Sequence, residues 1–152
     1  MKQINKLYFS ILLLGIIIIA GCSQGPVQSN NGEKVTVFKS PTCGCCVGYV
    51  AELEKNGFDV ETVDTVDMHA VKQKFNIPQS MESCHTAVMG DYFIEGHVPI
   101  EAVNKLLEEK PDIDGIALPG MPAGSPGMPG RKKVPFTIYA LSNREISEFV
   151  TI

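Results

Sequence analysis

The pattern of apolar and polar positions from residue 34 onward predicts alternating strands and helices. β-branched and aromatic residues at 34–38 indicate a buried strand, and apolar residues at three- and four-residue spacing over 46–53 indicate an amphipathic helix that includes Val47. A strand at 58–63, a helix at 68–75, a strand at 86–89, its hairpin partner at 92–95 and a helix at 100–109 follow. This order predicts an α/β fold with a thioredoxin-like mixed sheet and flanking helices.

The C-terminal extension departs from this pattern. Residues 112–133 are rich in glycine and proline, so no long helix or strand is expected there. The segment also carries apolar residues, and a loop of this length within a domain is usually functional or disordered. A strand at 134–141 and a last turn or short strand at 145–149 complete the chain. We therefore expect an irregular Gly/Pro/Met-rich C-terminal extension on the α/β domain.

The N-terminal segment has the features of an export signal. Lys2 and Lys6 precede an apolar run at 7–20, which is short for a membrane span. The end of the run, Ile18 to Cys22, resembles a bacterial lipoprotein signal, although an ordinary signal peptide or an uncleaved anchor would have similar composition. We expect a signal peptide at 1–21, lipidation of Cys22, a polar tether at 22–33 and the folded domain at 34–152. The protein would then be exported and lipid-anchored to the bacterial cell envelope, periplasmic or on the outer face of the membrane.

Charge and the known metal and phosphate motifs exclude several classes of function. The formal net charge is −4 with no basic cluster, so nucleic acid is not an expected partner. The sequence has no HExxH, no second CxxC at zinc-ribbon spacing and no Gly-rich phosphate loop. The cysteines therefore carry the candidate chemistry.

Three cysteines, Cys43, Cys45 and Cys46, lie at the junction of the first strand and the first helix. Cys43 and Cys46 have the CxxC spacing of dithiol oxidoreductases, and amide groups at a helix N-terminus favour thiolates. Cys45 would allow an attacked disulfide to rearrange, and it adds a third thiolate for a soft metal ion. This favours metal binding, while a redox dithiol and a structural disulfide stay open.

Other candidate ligands are distant in sequence. Cys84 precedes the strand at 86–89, which a thioredoxin-like topology brings close to the CxxC loop, although free cysteine is also a common core residue. Met121 and Met128 each stand between glycine and proline, where a thioether could bind Cu(I) or fill a gap under the loop. His85 adjoins Cys84 and could ligate a metal, and His97 could ligate or serve in a turn before the next helix.

Three motifs together resemble the CopG-like family of small exported copper-binding proteins, which have a thioredoxin-like fold. They are the stretch from Ser40 to Cys46, the sequence Gly-His-Val-Pro at 96–99, and the Gly-Met-Pro repeats at 120–129. The resemblance implies copper bound by thiolates with methionine thioethers nearby, and copper that can change oxidation state. The positions that match the family motifs are Cys43, Cys45, Cys46, Cys84, His97, Met121 and Met128. The family often has tryptophan where this chain has Tyr49.

We therefore expect a copper-binding protein of the cell envelope that holds Cu(I), with Cu(I)/Cu(II) cycling as one form of its activity, in copper resistance or homeostasis. Its expected partners are copper ions, the membrane through the lipid anchor, and other copper-export or copper-resistance proteins. The alternative is a thiol–disulfide oxidoreductase that uses Cys43 as nucleophile and Cys46 as resolving thiol. The sequence leaves enzyme and binding protein both open.

Overall fold

The computed structural model describes residues 32–152. The signal segment 1–21, the lipidation site Cys22 and nearly all of the tether at 22–33 lie outside the described residues. Their roles therefore stay predictions. Within residues 32–152, no helix is long and apolar enough to cross a bilayer.

Strands and helices follow one another in the predicted order up to residue 109. Residues 32–152 contain a short 3-10 helix at Gln79–Met81 and ten regular elements, which are β1 (Lys34–Lys39), α1 (Gly44–Lys55), β2 (Asp59–Asp64), α2 (Met68–Lys74), β3 (His85–Met89), β4 (Tyr92–Glu95), α3 (Ile100–Glu109), β5 (Gly115–Ala117), β6 (Thr137–Ser142) and β7 (Glu145–Thr151).

The strands form one seven-stranded mixed sheet in the order β2-β1-β3-β4-β5-β6-β7. β1 pairs in parallel with β2, and β4 in parallel with β5, while the other neighbours are antiparallel. The predicted α/β fold with a mixed sheet and flanking helices is thus confirmed.

The C-terminal extension is more regular than its glycine and proline content predicts. Gly115–Ala117 forms a strand between β4 and β6, so the prediction of an irregular segment is wrong at these three residues. The last turn or short strand is a full strand, β7, that pairs with β6. Residues 118–133 contain no helix or strand, as their sequence predicted. The strand predicted at 134–141 begins only at Thr137, so that prediction is wrong at residues 134–136.

The sheet carries a core on each face, because successive strand residues point to opposite sides. The larger core joins Tyr49 and Leu53 of α1 and the buried side of α3 to Ile94 and Ile116 of the sheet. The smaller core packs Ile77, after α2, on Phe93 and neighbouring strand residues. The two clusters place α1 and α3 on one face and the segment after α2 on the other.

Helix α1 buries a different set of residues from the one that its spacing predicts. Cys46, Tyr49 and Leu53 are buried, whereas Val47 is 56% exposed, so the inclusion of Val47 in the buried face was wrong. Tyr49 can be buried because its hydroxyl donates to the carbonyl oxygen of Val98 at 3.2 Å. α1 therefore presents its first turn, which carries the cysteines, toward the loops that precede β3 and α3.

Candidate metal centre

Cys43 is the N-cap of α1, and Cys45 and Cys46 lie in its first turn. Cys43 and Cys46 form a disulfide with a Cα–Cα distance of 5.4 Å, while Cys45 and Cys84 are free thiols. The Cys43 side chain caps no backbone amide. The structure therefore shows the oxidised form of the CxxC pair, with two thiols beside it.

Cys84 lies beside this loop, where its position before β3 predicted it. The Cys45 Sγ is 3.5 Å from the Cys43 Sγ and 3.9 Å from the Cys84 Sγ. The Cys46 Sγ lies 3.8 Å from the carbonyl oxygen of Cys84. All four sulfur atoms fall within 4.8 Å of one another, which is close enough for one metal site.

Two buried histidines extend the sulfur cluster. The Cys84 Sγ is 3.0 Å from the Nε2 of His97 and 3.4 Å from the Nδ1 of His85. These three side chains form a second group whose ligand atoms all lie within 4.8 Å. Cys84 belongs to both groups, so it links the thiol cluster to the imidazoles.

The protonation of the metal-free cluster follows from burial. Burial and the neighbouring Cys45 raise the pKa of the Cys84 thiol to about 12. Burial, with His97 and Lys72 nearby, lowers the pKa of His85 to about 3, and burial also lowers the pKa of His97. At neutral pH both imidazoles are therefore uncharged, as metal binding requires, and Cys84 holds a proton that a metal ion would displace.

The histidine rings are fixed by packing and by hydrogen bonds. The Nδ1 of His97 lies 2.7 Å from the carbonyl oxygen of Pro126. The ring of Tyr49 packs against both imidazoles, with centroids 4.5 Å from His85 and 5.6 Å from His97. The buried Nε2 of His85 has no hydrogen-bond partner among the described residues, and such an unpaired nitrogen is a candidate metal ligand.

A buried ion pair between Lys72 and Glu95 anchors the segment that carries Cys84. Glu95, whose side chain is fully buried, accepts hydrogen bonds from Lys72, from the backbone amide of Ser83, and from the hydroxyl of Thr86 at 2.6 Å. Ser83 and Thr86 flank Cys84 and His85 in sequence. The carboxylate therefore fixes both ends of the ligand-bearing segment, and its burial raises the pKa of Glu95.

The two predicted methionine ligands lie in different surroundings. Met121 is 40% exposed and has a positive φ of 46°, whereas Met128 is half-buried. Met128 follows Gly127, whose Cα packs against the backbone of α1. Binding of metal by either thioether stays a prediction.

Sequence reasoning did not include several residues that shape the centre. The ligand set that the family resemblance implies does not include His85, although the position of His85 next to Cys84 made it a candidate. The Lys72–Glu95 pair and the Pro126 carbonyl gave no sequence signal, because a buried lysine looks like a surface residue of a short helix and a carbonyl belongs to every residue. Tyr49 was noted only as a departure from tryptophan.

The chain is similar to a family model and to two solved structures. A family model described as "Protein of unknown function, DUF411" matches residues 81–128, which include Cys84 and His97 but not the cysteines of α1. No curated protein sequence matches the chain. Two solved structures, forms 1 and 2 of the copper resistance protein CopG, are each 39% identical, with TM-scores of 0.73 and 0.74. Each match covers 80% of this chain and 98% of the solved one. At this identity and coverage, the chain belongs to the family of the copper resistance protein CopG.

Proposed function

We propose that this protein binds copper through its cysteine cluster and acts in copper resistance. The observation that carries the proposal is the set of four sulfur atoms within 4.8 Å of one another, joined through Cys84 to two uncharged imidazoles. A sulfur-rich donor set selects soft ions, and Cu(I) is the soft ion that thiolates and thioethers bind best. The name of the related solved structures supports copper as the cargo.

The oxidation state of the CxxC pair sets the number of thiolates that copper can use. With the Cys43–Cys46 disulfide closed, the available donors are Cys45, Cys84, His85 and His97. Reduction of the disulfide by a thiol reductant consumes two electrons and two protons and yields two more thiols. In the opposite direction, two Cu(II) ions could each take one electron from the reduced Cys43 and Cys46 thiols, which close the disulfide with release of two protons, and become Cu(I). Cu(I)/Cu(II) cycling at this site is therefore part of the proposal.

A competition titration tests copper binding. Reduced protein, loaded with Cu(I) under anaerobic conditions, should retain the ion against a coloured bidentate Cu(I) chelator. A Cys43→Ser/Cys45→Ser/Cys46→Ser variant should lose it to the chelator. Cys22→Ser is the matched control, because it removes a cysteine outside the cluster and should retain copper. Equal retention by the triple variant, with its fold checked by circular dichroism, would overturn the proposal.

A second candidate function is thiol–disulfide exchange, and the closed Cys43–Cys46 disulfide at a helix N-terminus favours it. The position of Cys45 argues against it, because its sulfur is 3.5 Å from that of Cys43 and could attack the disulfide internally. Turnover of a mixed-disulfide peptide decides between the two. Turnover above that of free thiol, lost in Cys46→Ser but kept without copper, would support the oxidoreductase.

We further propose that the protein is exported and anchored to the cell envelope through a lipid on Cys22, where it meets other copper-export or copper-resistance proteins. The support is the sequence of residues 1–22, with its positive start, apolar run and small residues before cysteine. Metabolic labelling with an alkyne fatty acid should tag the wild-type chain but not Cys22→Ala. Equal labelling of the two would refute lipidation at this residue.

A further inference from the structure

The segment from Pro122 to Met128, here called the proline loop, has a defined backbone structure. Within it, the amide of Ser125 donates to the carbonyl of Pro122 at 3.2 Å, and the amide of Met128 donates to the carbonyl of Ser125 at 2.9 Å. The hydroxyl of Ser125, which is buried, also donates to the Pro122 carbonyl, at 2.8 Å. Consecutive turns therefore hold the carbonyl of Pro126 in a fixed direction.

The proline loop packs directly on the backbone of α1. Gly127 has a φ of +76°, and a Cβ on it would lie 2.4 Å from the amide nitrogen of Tyr49 and 2.8 Å from the carbonyl oxygen of Cys45. A Cβ on Gly48 would lie 3.0 Å from the Cα of Gly127. Contact this close requires glycine on both surfaces. The pair Gly48–Gly127 thus sets how near the loop comes to the cysteine helix.

The loop delivers a carbonyl to His97. The Pro126 oxygen lies 2.7 Å from Nδ1 of the imidazole, and a carbonyl oxygen can only accept a hydrogen bond. In the neutral ring Nδ1 therefore carries the proton, and Nε2 keeps its lone pair. That nitrogen lies 3.0 Å from the Cys84 Sγ, on the side of the ring that faces the thiols.

We propose that the proline loop is a positioning segment, whose Pro126 carbonyl fixes His97 as the Nδ1–H tautomer and directs the Nε2 lone pair into the cysteine cluster. Histidine ligands of metals commonly donate their other N–H to a carbonyl or carboxylate in this way. The use of this lone pair for copper rests on the proposed function, while the tautomer is a property of the metal-free protein. The loop then acts through its backbone, independently of the thioethers of Met121 and Met128.

The tautomer can be measured directly by two-bond ¹H–¹⁵N correlation spectra of the imidazole rings in the reduced, metal-free full chain. Wild-type His97 should show a protonated Nδ1 and an unprotonated Nε2. Gly127→Ala should displace the Pro126 carbonyl and give a mixture of tautomers. Gly44→Ala is the matched control, because a Cβ on Gly44 of the same helix meets nothing within 4 Å, and it should keep the wild-type spectrum.

Further variants keep the proposal falsifiable. If Gly127→Ala does not fold, Gly48→Ala makes a milder clash, at 3.0 Å, and should give the same change. Met121→Leu/Met128→Leu should leave the tautomer unchanged. A protonated Nε2 in the wild type, or one unchanged tautomer in a folded Gly127→Ala or Gly48→Ala protein, would overturn the positioning role.

Copper affinity separates this inference from the proposed function. Loss of an outer contact to a ligand typically weakens metal binding by about 10–100-fold, and we expect a loss in this range for Gly127→Ala. A changed tautomer with no copper binding by the wild type would refute the function and leave the positioning intact. Copper binding by the wild type, together with an unaltered tautomer in the glycine variants, would support the proposed function and refute the positioning role of the loop.

Discussion

Replacement of Lys72 by methionine should destabilise the protein more than any exposed charge substitution. The Lys72 side chain is buried, and its ammonium group contacts the carboxylate of Glu95 and, at 3.3 Å, the hydroxyl of Thr86. Methionine fills a similar volume but leaves Glu95 as a buried charge without a cation. Removal of one partner of such a pair costs about 3–5 kcal/mol.

The structure places the expected loss toward the lower end of this range. Glu95 keeps two donors in the variant, the amide of Ser83 and the hydroxyl of Thr86, and hydrogen bonds to a charged acceptor offset part of the desolvation. A loss of about 3 kcal/mol is large for a domain whose total stability is of the order of 5–15 kcal/mol. The unfolding midpoint in urea should therefore fall markedly.

The effect should depend on pH. Burial raises the pKa of Glu95, and Lys72 lowers it, so removal of Lys72 raises it further. When the pKa of an acid is higher in the folded than in the unfolded state, its ionisation lowers the stability of the protein. This loss of stability is absent at pH values below the pKa of the unfolded state. The loss of stability then grows as the pH rises toward and through the pKa of the folded state. The stability difference between Lys72→Met and the wild type should thus shrink as the pH is lowered toward the pKa of an ordinary glutamic acid.

Urea titrations at several pH values test this reasoning, with two companion variants. Lys55→Met serves as the matched control, because it breaks the surface ion pair between Lys55 and Glu52. Such a surface pair contributes about 0.2–1 kcal/mol to stability. Lys72→Met/Glu95→Gln removes both charges and should recover much of the lost stability. A loss in Lys72→Met no larger than that in Lys55→Met, or no recovery in the double variant, would refute the account.

Three further outcomes are expected. Alkylation in denaturant before reduction should label Cys45 and Cys84, and Cys43 and Cys46 should be labelled only after reduction, which peptide mass mapping will show; early labelling of Cys43 would contradict the disulfide. Cys84→Ser should weaken Cu(I) binding in the chelator competition by more than the roughly 10–100-fold expected for an outer contact, because Cys84 joins both ligand groups. Gly96→Ala should lower the free energy of unfolding by more than about 1 kcal/mol, since φ is +78° and the new Cβ would lie 2.7 Å from a backbone carbonyl, and unchanged thermal stability would exclude this strain.

The sequence predicted those parts of the fold that have a clear period. Strand β1, helices α1 and α3 and the β3–β4 hairpin were all expected from apolar spacing and turn residues. Strand β5 was not, because Gly115–Ala117 is too short to show alternation and exists through its pairing with β4 and β6. The burial of Tyr49 on α1 was not predicted either, because a buried tyrosine needs a partner for its hydroxyl and only the fold supplies the Val98 carbonyl.

For the candidate centre, the spacing of Cys43, Cys45 and Cys46 identified these residues from the sequence. The expected thioredoxin-like order of strands placed Cys84 near them. The oxidation state of Cys43 and Cys46 does not follow from spacing, because the same CxxC geometry serves a disulfide and a pair of metal ligands. The Pro126 carbonyl reaches His97 across 29 residues of sequence, and only the folded chain brings the two together. Such contacts cannot be predicted from the amino-acid sequence, because every residue has a backbone carbonyl.

The dispersal of the candidate metal centre along the chain links the assembly of its ligands to protein folding. Cys43 to Cys46 are close in any conformation, but Cys84 and His97 reach them only after β1 has paired with β3 and β3 with β4. The β3–β4 pairing is a local hairpin, whereas the β1–β3 pairing is long-range and closes a long loop at a cost in chain entropy. The reduced, unfolded polypeptide therefore has three neighbouring thiols, while the folded protein places four sulfurs and two imidazoles together. Pairing of the β3–β4 hairpin with β1 is therefore the step that brings Cys84 and His97 to the local thiols, and a chain without this pairing has only the local thiols.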